Sequence, residues 1–243
     1  VNAASGRGIV VMNAPGANSV SVAELAMGLI LAMARHLPAA DAAMKQGKWE
    51  KKKFLGEEVR DKTLGLAGLG RIGQEVARRA AAFGMRILAH DPFSPPPPEV
   101  ACPDLDALAA ESNVLTLHVP LTEGTYHLVD KAFLAGTSPG AILVNCGRGA
   151  LVDLDAALAA LDSSQLAGVG LDVFEPEPPE HHPLFDHPNA VLTPHVMGLT
   201  RRATAATFAD AARGVLDVLA GLQPAAVANP DWAGIPVTTK EDE

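Results

Sequence analysis

The chain has 243 residues, of which 48% are hydrophobic and 19% charged, a balance typical of a folded globular protein. Its formal net charge of −9 argues against nucleic acid or an anionic membrane as the partner, because both select basic surfaces. Two cysteines, Cys102 and Cys146, are too few for a disulfide framework and indicate a reducing, cytoplasmic location. The longest apolar stretch, 25–34, is about half of the ~20 residues that a membrane span needs, and the N-terminus does not resemble a signal peptide.

Short apolar, often β-branched runs alternate along the chain with Ala- and Leu-rich segments of helical periodicity. This alternation predicts an α/β fold with a doubly wound parallel sheet, and the continuously apolar runs indicate strands covered by helices on both faces. The predicted strands are 9–12, 63–67, 86–89, 114–119, 141–144, 167–171 and 190–192. The predicted helices are 22–34, 39–46, 72–83, 105–110, 154–161 and 202–219.

Three further segments fall outside this pattern. Residues 47–60 are polar and basic, with four lysines around Trp49 and Phe54, and form either a solvated connection or an arm between subunits. The proline run 95–98 predicts an extended spacer without chemistry of its own. From residue 223 onward the chain is a proline-containing tail that we expect to be largely poorly ordered.

A glycine-rich motif, Gly68-Leu69-Gly70-Arg71-Ile72-Gly73, follows the predicted strand 63–67 directly and opens an amphipathic helix. In such a loop Gly68 permits the tight turn, Gly70 lets a pyrophosphate approach the backbone, and Gly73 lets the helix pack close to the strand. The helix N-terminus then offers N–H groups and a positive dipole end to the phosphates. The alternative is a purely structural strand–helix turn.

An acidic residue, Asp91, ends the next predicted strand. A carboxylate at this point accepts hydrogen bonds from the adenosine ribose hydroxyls and repels a 2′-phosphate, which favours NAD over NADP. Its alternative is a plain turn residue before Pro92.

Three side chains with complementary chemistry follow later strands: Arg148, Glu177 and His195. Because ligands bind outside the carboxyl ends of parallel strands, we expect them near the cofactor. A histidine can remove a hydroxyl proton, an arginine can pair with a carboxylate, and an acid can orient the histidine and stabilise its protonated form. Taken singly, each could be an ordinary surface or structural residue. His181, His182 and His187 do not complete a metal-ligand spacing, so no metal is expected.

These motifs together resemble the D-isomer-specific 2-hydroxyacid dehydrogenases, most closely the D-3-phosphoglycerate dehydrogenase branch. The resemblance runs from about Gly8 to Leu219. It rests on RGIVVMNAP at 7–15, GKWEKKKF at 47–54, GLGRIG at 68–73, HVPLT at 118–122, NCGRG at 145–149, LDVFEPEP at 171–178 and PH at 194–195.

The resemblance implies roles at individual positions. Arg148 matches the substrate-binding arginine, His195 the catalytic histidine, and Glu177 its paired glutamate. Arg71 and Ile72 match residues at the pyrophosphate, and Asp91 matches the ribose-binding acid. The positions that surround the nicotinamide half are His118, Pro120, Cys146, Arg148, Asp172, His195 and Gly198.

The resemblance also implies an organisation. Residues 1–8 are a remnant of the crossing from a substrate domain that is largely missing, and 9–198 are the Rossmann-type NAD-binding domain. A dimerisation arm around 36–60 implies a homodimer, with Lys51 a candidate contact to a partner's substrate phosphate. Residues 199–222 form a helix that returns to the substrate domain, and 223–243 are the tail.

The expected reaction is hydride transfer between NAD and C2 of a small D-2-hydroxy acid, first of all 3-phosphoglycerate and 3-phosphohydroxypyruvate of serine biosynthesis. In the histidine motif, Gly198 comes one place later than in phosphoglycerate dehydrogenases, which leaves a glyoxylate or hydroxypyruvate reductase as the alternative. A non-catalytic, NAD-binding dimeric module similar to a transcriptional corepressor of the same family is the alternative from another class.

Overall fold

The computed structural model describes residues 1–93, 100–101 and 103–232, so the proline run 95–98 and Cys102 lie outside the described residues. Its centre is one parallel sheet of six strands in the order β2-β1-β3-β4-β5-β6. The strands are β1 Thr63–Ala67, β2 Arg86–His90, β3 Val114–Leu117, β4 Ala141–Asn145, β5 Leu166–Leu171 and β6 Ala190–Leu192. The predicted doubly wound α/β fold is therefore confirmed.

The predicted helices are all present, with ends that differ by a few residues. The helices are α1 Asn2–Ser5, α2 Ser19–Ala34, α3 Leu37–Lys45, α4 Arg71–Ala82, α5 Leu105–Glu111, α6 Lys131–Ala135, α7 Leu154–Asp162 and α8 Arg201–Leu219. Both α1 and α6 were missed because four or five residues are too few to show a helical period. The lysine-rich segment contains a 3₁₀ turn, Lys51–Phe54.

Two apolar clusters cover the two faces of the sheet. One contains Leu64 and Leu66 of β1 together with Ile30 of α2 and Val76 of α4. The other contains Leu115 and Leu117 of β3 together with residues of α7. Every residue of β1 and β3 is buried, which explains why these strands are apolar apart from Thr63 and Thr116. This rigid sheet carries the loops of the candidate site at one edge.

The chain divides into two compact units, one formed by residues 22–197 and the other by residues 1–21 with the described residues from 198 onward. The sheet and both apolar clusters belong to the first unit. In the second, α8 begins after Thr200, whose hydroxyl accepts a hydrogen bond from the Ala203 N–H. Within the described ranges no single helix is long and apolar enough to cross a membrane, although α2 and α3 pass that test jointly as a bent pair.

The predicted first strand, 9–12, is wrong. Met12 forms only an isolated antiparallel bridge with Val227. The Val11 N–H donates to the Asn229 side chain over 2.7 Å, and the Val11 carbonyl accepts from the Ala228 N–H. An apolar run with β-branched residues predicts a strand only where a neighbouring strand is available, and here the partner is the first part of the tail. Residues 227–229 thus bond the segment before α2, and 233–243 lie outside the described residues.

Candidate active site

The sheet topology brings the loops after β1 and β3 together. β1 lies between β2 and β3, so the strand order reverses at this point and a crevice opens at the carboxyl edge of the sheet. The His118 N–H, just after β3, donates to the Ala67 carbonyl over 2.7 Å. A Cβ on Gly68, which has φ +100°, would come within 2.7 Å of the His118 backbone. The first glycine of the motif is therefore required by the fold itself.

The other two glycines of the motif differ in what surrounds them. A Cβ on Gly73 would lie 2.2 Å from the Gly68 carbonyl oxygen, so the close approach of α4 to β1 requires glycine there. A Cβ on Gly70 would meet no protein atom within 4 Å. Space is thus open beside the Gly70 backbone, where α4 begins with Arg71 and Ile72 in its first turn. This arrangement fits a phosphate, which the helix N-terminus attracts.

Asp91 lies immediately after β2 and contacts the glycine loop. Its Oδ2 accepts a hydrogen bond from the Leu69 N–H over 2.8 Å, and its Oδ1 accepts one from the Phe93 N–H over 2.9 Å. The carboxylate therefore supports the conformation of the loop in addition to its predicted contact with a ribose. The sequence did not predict this second contribution.

The His118 side chain is partly buried at the end of β3. Its Nε2 lies 3.0 Å from the Thr116 hydroxyl oxygen, and its buried Nδ1 has no hydrogen-bond partner among the described residues. Burial lowers the pKa of His118 to about 4, so the imidazole is neutral near pH 7. A buried nitrogen without a partner at the crevice is consistent with a ligand that completes its hydrogen bonding. Pro120, two residues later, is exposed.

The loop after β4 holds Arg148 at its tip. Asn145, the last residue of β4, is completely buried, and its side chain bonds the backbone of Gly147 and Arg148. The Arg148 side chain is exposed, and one guanidinium nitrogen donates to the Gly147 carbonyl over 2.8 Å. The loop therefore has a fixed backbone and presents a cation at the edge of the sheet.

Cys146 is buried beneath this loop. Burial, and secondarily the charge of Asp172, raises the pKa of the Cys146 thiol to about 12. The thiol is therefore protonated at neutral pH and is not a nucleophile there.

His195 and Glu177 form a hydrogen-bonded pair, with 2.7 Å between Nδ1 of the histidine and Oε2 of the glutamate. The other carboxylate oxygen, Oε1, accepts from the Phe174 N–H over 3.0 Å. Partial burial opposes ionisation of Glu177, but the hydrogen bonds from His195 and Phe174, helped by the nearby charges of His195 and Arg148, outweigh it and lower the pKa. The carboxylate is thus ionised at neutral pH and leaves Nε2 of His195 available for a substrate.

The turn that carries His195 is fixed by Asp172, a completely buried carboxylate after β5. Asp172 accepts hydrogen bonds from the Thr193 hydroxyl over 2.5 Å and from the N–H groups of Val196 and Met197 over 2.9 Å each. His195 itself has φ +53°, a backbone conformation that costs energy for a residue with a side chain. Sequence reasoning placed Asp172 near the cofactor but missed Thr193, whose position two residues before His195 was the available signal.

An apolar cavity of about 560 Å³ adjoins the pair and is lined in part by Phe174, Phe185 and Leu192 as well as by Glu177 and His195. Arg148 does not line it, so the cavity lies away from the guanidinium. Gly198, the last of the predicted cofactor contacts, belongs to the unit formed by the two ends of the chain.

The histidines of the 181–187 loop each lie close to a different aspartate. His181 lies 3.2 Å from Asp186, His182 lies 3.2 Å from Asp155, and His187 lies 3.9 Å from Asp162. Across the described part of the chain, no group of three or more His, Cys, Asp or Glu side chains is placed to hold a metal ion.

A parallel sheet with a glycine loop at its switch point and an acid after the next strand defines a dinucleotide-binding protein. Residues 27–197 match the family model described as "D-isomer specific 2-hydroxyacid dehydrogenase, NAD binding domain". The chain therefore belongs to this family, and its cofactor is NAD.

Individual relatives agree with this membership. The chain is 45% identical over 228 residues to a D-3-phosphoglycerate dehydrogenase of Methanocaldococcus jannaschii, covering 91% of this chain and 43% of the relative. It is 48% identical over 210 residues to a hydroxypyruvate reductase of Thermotoga maritima, covering 84% and 68%. A D-lactate dehydrogenase structure from Aquifex aeolicus, solved with NAD and lactic acid, has a TM-score of 0.81 at 29% identity over 90% of this chain and 72% of that one. The chain thus spans less than half the length of the phosphoglycerate dehydrogenase.

Proposed function

We propose that this chain is the cofactor-binding part of an oxidoreductase that transfers a hydride between NAD and C2 of a small D-2-hydroxy acid. The observation that carries the proposal is the 2.7 Å hydrogen bond between His195 and Glu177, on the same edge of the sheet as the glycine loop and Arg148. A base, its acidic partner and a cation for the carboxylate are what oxidation of a hydroxy acid requires.

In the oxidation direction, Arg148 pairs with the carboxylate of the substrate and orients C2. Nε2 of His195 accepts the proton of the C2 hydroxyl, while Nδ1 donates to Glu177. The ionised carboxylate of Glu177 stabilises the resulting imidazolium. When bound, NAD would supply the acceptor for the hydride that leaves C2. In the reduction direction, His195 returns the proton to the carbonyl oxygen.

The cofactor contacts follow the crevice. Gly68, Gly70 and Gly73, with Arg71 and Ile72, hold the pyrophosphate, and Asp91 accepts hydrogen bonds from the adenosine ribose. Around the nicotinamide half we propose His118, Pro120, Cys146, Arg148, Asp172, His195 and Gly198. The open space beside Gly70 and the unpartnered Nδ1 of His118 support these assignments.

For the substrate we propose 3-phosphoglycerate and 3-phosphohydroxypyruvate, as in serine biosynthesis. The support is the identity of 45% to a D-3-phosphoglycerate dehydrogenase. The reduction of hydroxypyruvate or glyoxylate is the alternative, favoured by the position of Gly198 and by the identity of 48% to a hydroxypyruvate reductase. We also propose a cytoplasmic location, which suits an enzyme of small soluble acids.

We further propose that the chain crosses from a substrate domain at residues 1–8 and returns to that domain at residues 199–222. We also propose that the segment 36–60 forms the contact between two subunits. Four large apolar side chains in this segment are more than half exposed: Leu37, Met44, Trp49 and Leu55. Exposed apolar side chains grouped in this way are typical of an interface between proteins.

The decisive experiment measures NADH oxidation with phosphohydroxypyruvate, hydroxypyruvate, glyoxylate and pyruvate. It uses this chain and a chain extended at its N-terminus by the substrate domain of a relative. His195→Ala is expected to lower kcat by about 10²- to 10⁴-fold, the usual contribution of a general acid or base. The Kd for NADH is expected to stay within about twofold, because the glycine loop is untouched.

His181→Ala is the matched control, since it removes an exposed histidine that also pairs with an acid. It should leave kcat unchanged. If His195→Ala retains turnover, or if neither form of the chain reduces any of the four acids, the proposed activity is wrong.

A further inference from the structure

The buried side chain of Asn145 connects to Arg148 by hydrogen bonds that the proposed reaction does not explain. Its Oδ1 accepts from the Gly147 N–H over 2.9 Å, and its Nδ2 donates to the Arg148 carbonyl over 2.8 Å. The same carbonyl also accepts from the Leu151 N–H over 3.1 Å. Asn145 is completely shielded from solvent, so it cannot itself reach a substrate. Any effect on the reaction must pass through the loop that it bonds.

The loop has little freedom to adopt another conformation. A Cβ on Gly147 would lie 3.1 Å from Leu151 and 3.2 Å from the Leu117 carbonyl oxygen. A Cβ on Gly149 would lie 2.0 Å from the Phe174 backbone. The glycines on either side of Arg148 are therefore closely packed, Gly147 against the end of β3 and Gly149 against the loop after β5.

Only a short carboxamide meets both requirements of this position. One atom must accept from an N–H group while its neighbour donates to a carbonyl, and asparagine has one acceptor and one donor group at this distance. An aspartate would place an acceptor against the Arg148 carbonyl. An alanine would leave the partly buried Gly147 N–H without the bond that it has now, which costs stability.

We infer that Asn145 is a positioning residue that holds the backbone of Arg148 so that the guanidinium meets the substrate carboxylate in a fixed place. The inference rests on the proposed function, in which Arg148 binds that carboxylate. It adds a determinant of substrate affinity that lies beneath the site and touches neither substrate nor cofactor.

Asn145 also connects the Arg148 loop to the loops that carry Glu177 and His195. The Asn145 carbonyl accepts from the Asp172 N–H over 3.0 Å, and Asp172 in turn fixes the turn of His195. Gly149 packs against Phe174, whose N–H bonds Glu177. The neighbouring strands β4 and β5 thus each end in a buried polar residue that bonds a loop backbone. Asn145 bonds the loop of Arg148, and Asp172 bonds the turn of His195.

The test is a double-mutant cycle between Asn145→Ala and Arg148→Ala, made in the form of the protein that reduces a 2-keto acid. The keto acid is the one of the four above that is reduced fastest. Asn145→Ala is expected to raise its KM by about tenfold or more, since displacing a binding group by about 1 Å costs up to about 100-fold. The Kd for NADH is expected to change less than about twofold.

In the background of Arg148→Ala, the further change Asn145→Ala is expected to leave KM unchanged. A residue that acts only through Arg148 has nothing left to act on, whereas a general structural defect would raise KM by the same factor in both backgrounds. Thr137→Val is the matched control, because it removes a buried hydroxyl that bonds Leu134 and Gln165 outside the site. It should leave KM as in the unchanged protein.

Asn145→Asp keeps the test available if the alanine variant does not fold, because it preserves side-chain volume and the bond from Gly147 while losing the donor to Arg148. It too should raise KM, and Arg148→Ala should suppress the effect. Equal effects in both backgrounds, or no effect on KM, overturn the inference while the proposed function stands. If Arg148→Ala itself leaves KM unchanged, the proposed function fails instead.

Discussion

Asp91 has both of its carboxylate oxygens bonded to backbone N–H groups, one from Leu69 and one from Phe93. A change to alanine would therefore disturb the glycine loop as well as remove a charge. Asparagine removes the negative charge and keeps one of the two acceptor oxygens, so it disturbs the loop less than alanine does.

Asp91→Asn is expected to lower the preference for NADH over NADPH by about tenfold or more. The aspartate charge repels the 2′-phosphate of NADPH, and the neutral amide does not. The measurement is the ratio of the two Kd values from fluorescence titration, in which a general weakening of the loop cancels. Asp104→Asn, which changes a similar acceptor at the start of α5, is the control. An unchanged ratio would show that Asp91 does not determine the cofactor.

Among individual residues, the sequence predicts those whose position follows from topology. Glu177 and His195 follow neighbouring strands, so their proximity could be expected, and they are hydrogen-bonded in the structure. The bonds of Asn145 and Asp172 to loop backbones could not be expected in the same way. They depend on the path of each loop, which spacing in the sequence does not fix.

At the scale of elements, the turn from β1 to α4 contains two glycines in opposite circumstances. Gly73 is enclosed by the Gly68 carbonyl, whereas the space beside Gly70 is open and its φ is −66°. The protein alone therefore tolerates a methyl group at Gly70 and not at Gly73. Only a bound phosphate gives a reason for glycine at the former position.

Gly70→Ala is expected to change the free energy of unfolding by less than about 0.5 kcal/mol and to raise the Kd for NADH by about tenfold or more. Gly73→Ala is expected to lower the free energy of unfolding by about 1–3 kcal/mol, because a methyl group must displace backbone. Urea denaturation without ligand and NADH titration measure the two quantities.

Gly28→Ala provides the comparison for both variants, since it adds a methyl group in open space on α2. It should leave the Kd for NADH unchanged. A Gly70→Ala variant that binds NADH as tightly as the unchanged protein would contradict a phosphate site at this loop.

The strands β1 and β3 could be predicted because their residues are buried on both faces and are therefore almost all apolar. The segment 9–12 carries the same signal and is not a strand, because its pairing partner is Val227, far away in the chain. Local composition indicates that a segment will be buried. It does not indicate which part of the chain will pack against it.

At the scale of the whole molecule, the exposed apolar residues of the segment 36–60 indicate an interface with a second subunit. Leu37 and Met44 are seven residues apart and share one face of α3, and Trp49 and Leu55 follow it. Trp49 and Leu55 are 79% and 86% exposed, and the segment also carries five lysines. In a protein with a net charge of −9, a basic apolar segment can pair with an acidic surface of a second copy.

The combined change Trp49→Ser and Leu55→Ser is expected to convert a dimer into a monomer, because aromatic and large apolar residues dominate the binding energy of interfaces. Sedimentation equilibrium at several protein concentrations measures the mass. Phe83→Ser is the matched control, as it removes a half-exposed aromatic residue at the end of α4 and should leave the dimer intact. A monomeric unchanged protein, or a double variant that sediments as a dimer, would contradict pairing through this segment. Because the cofactor loop lies outside it, the Kd of the monomeric variant for NADH should equal that of the dimer.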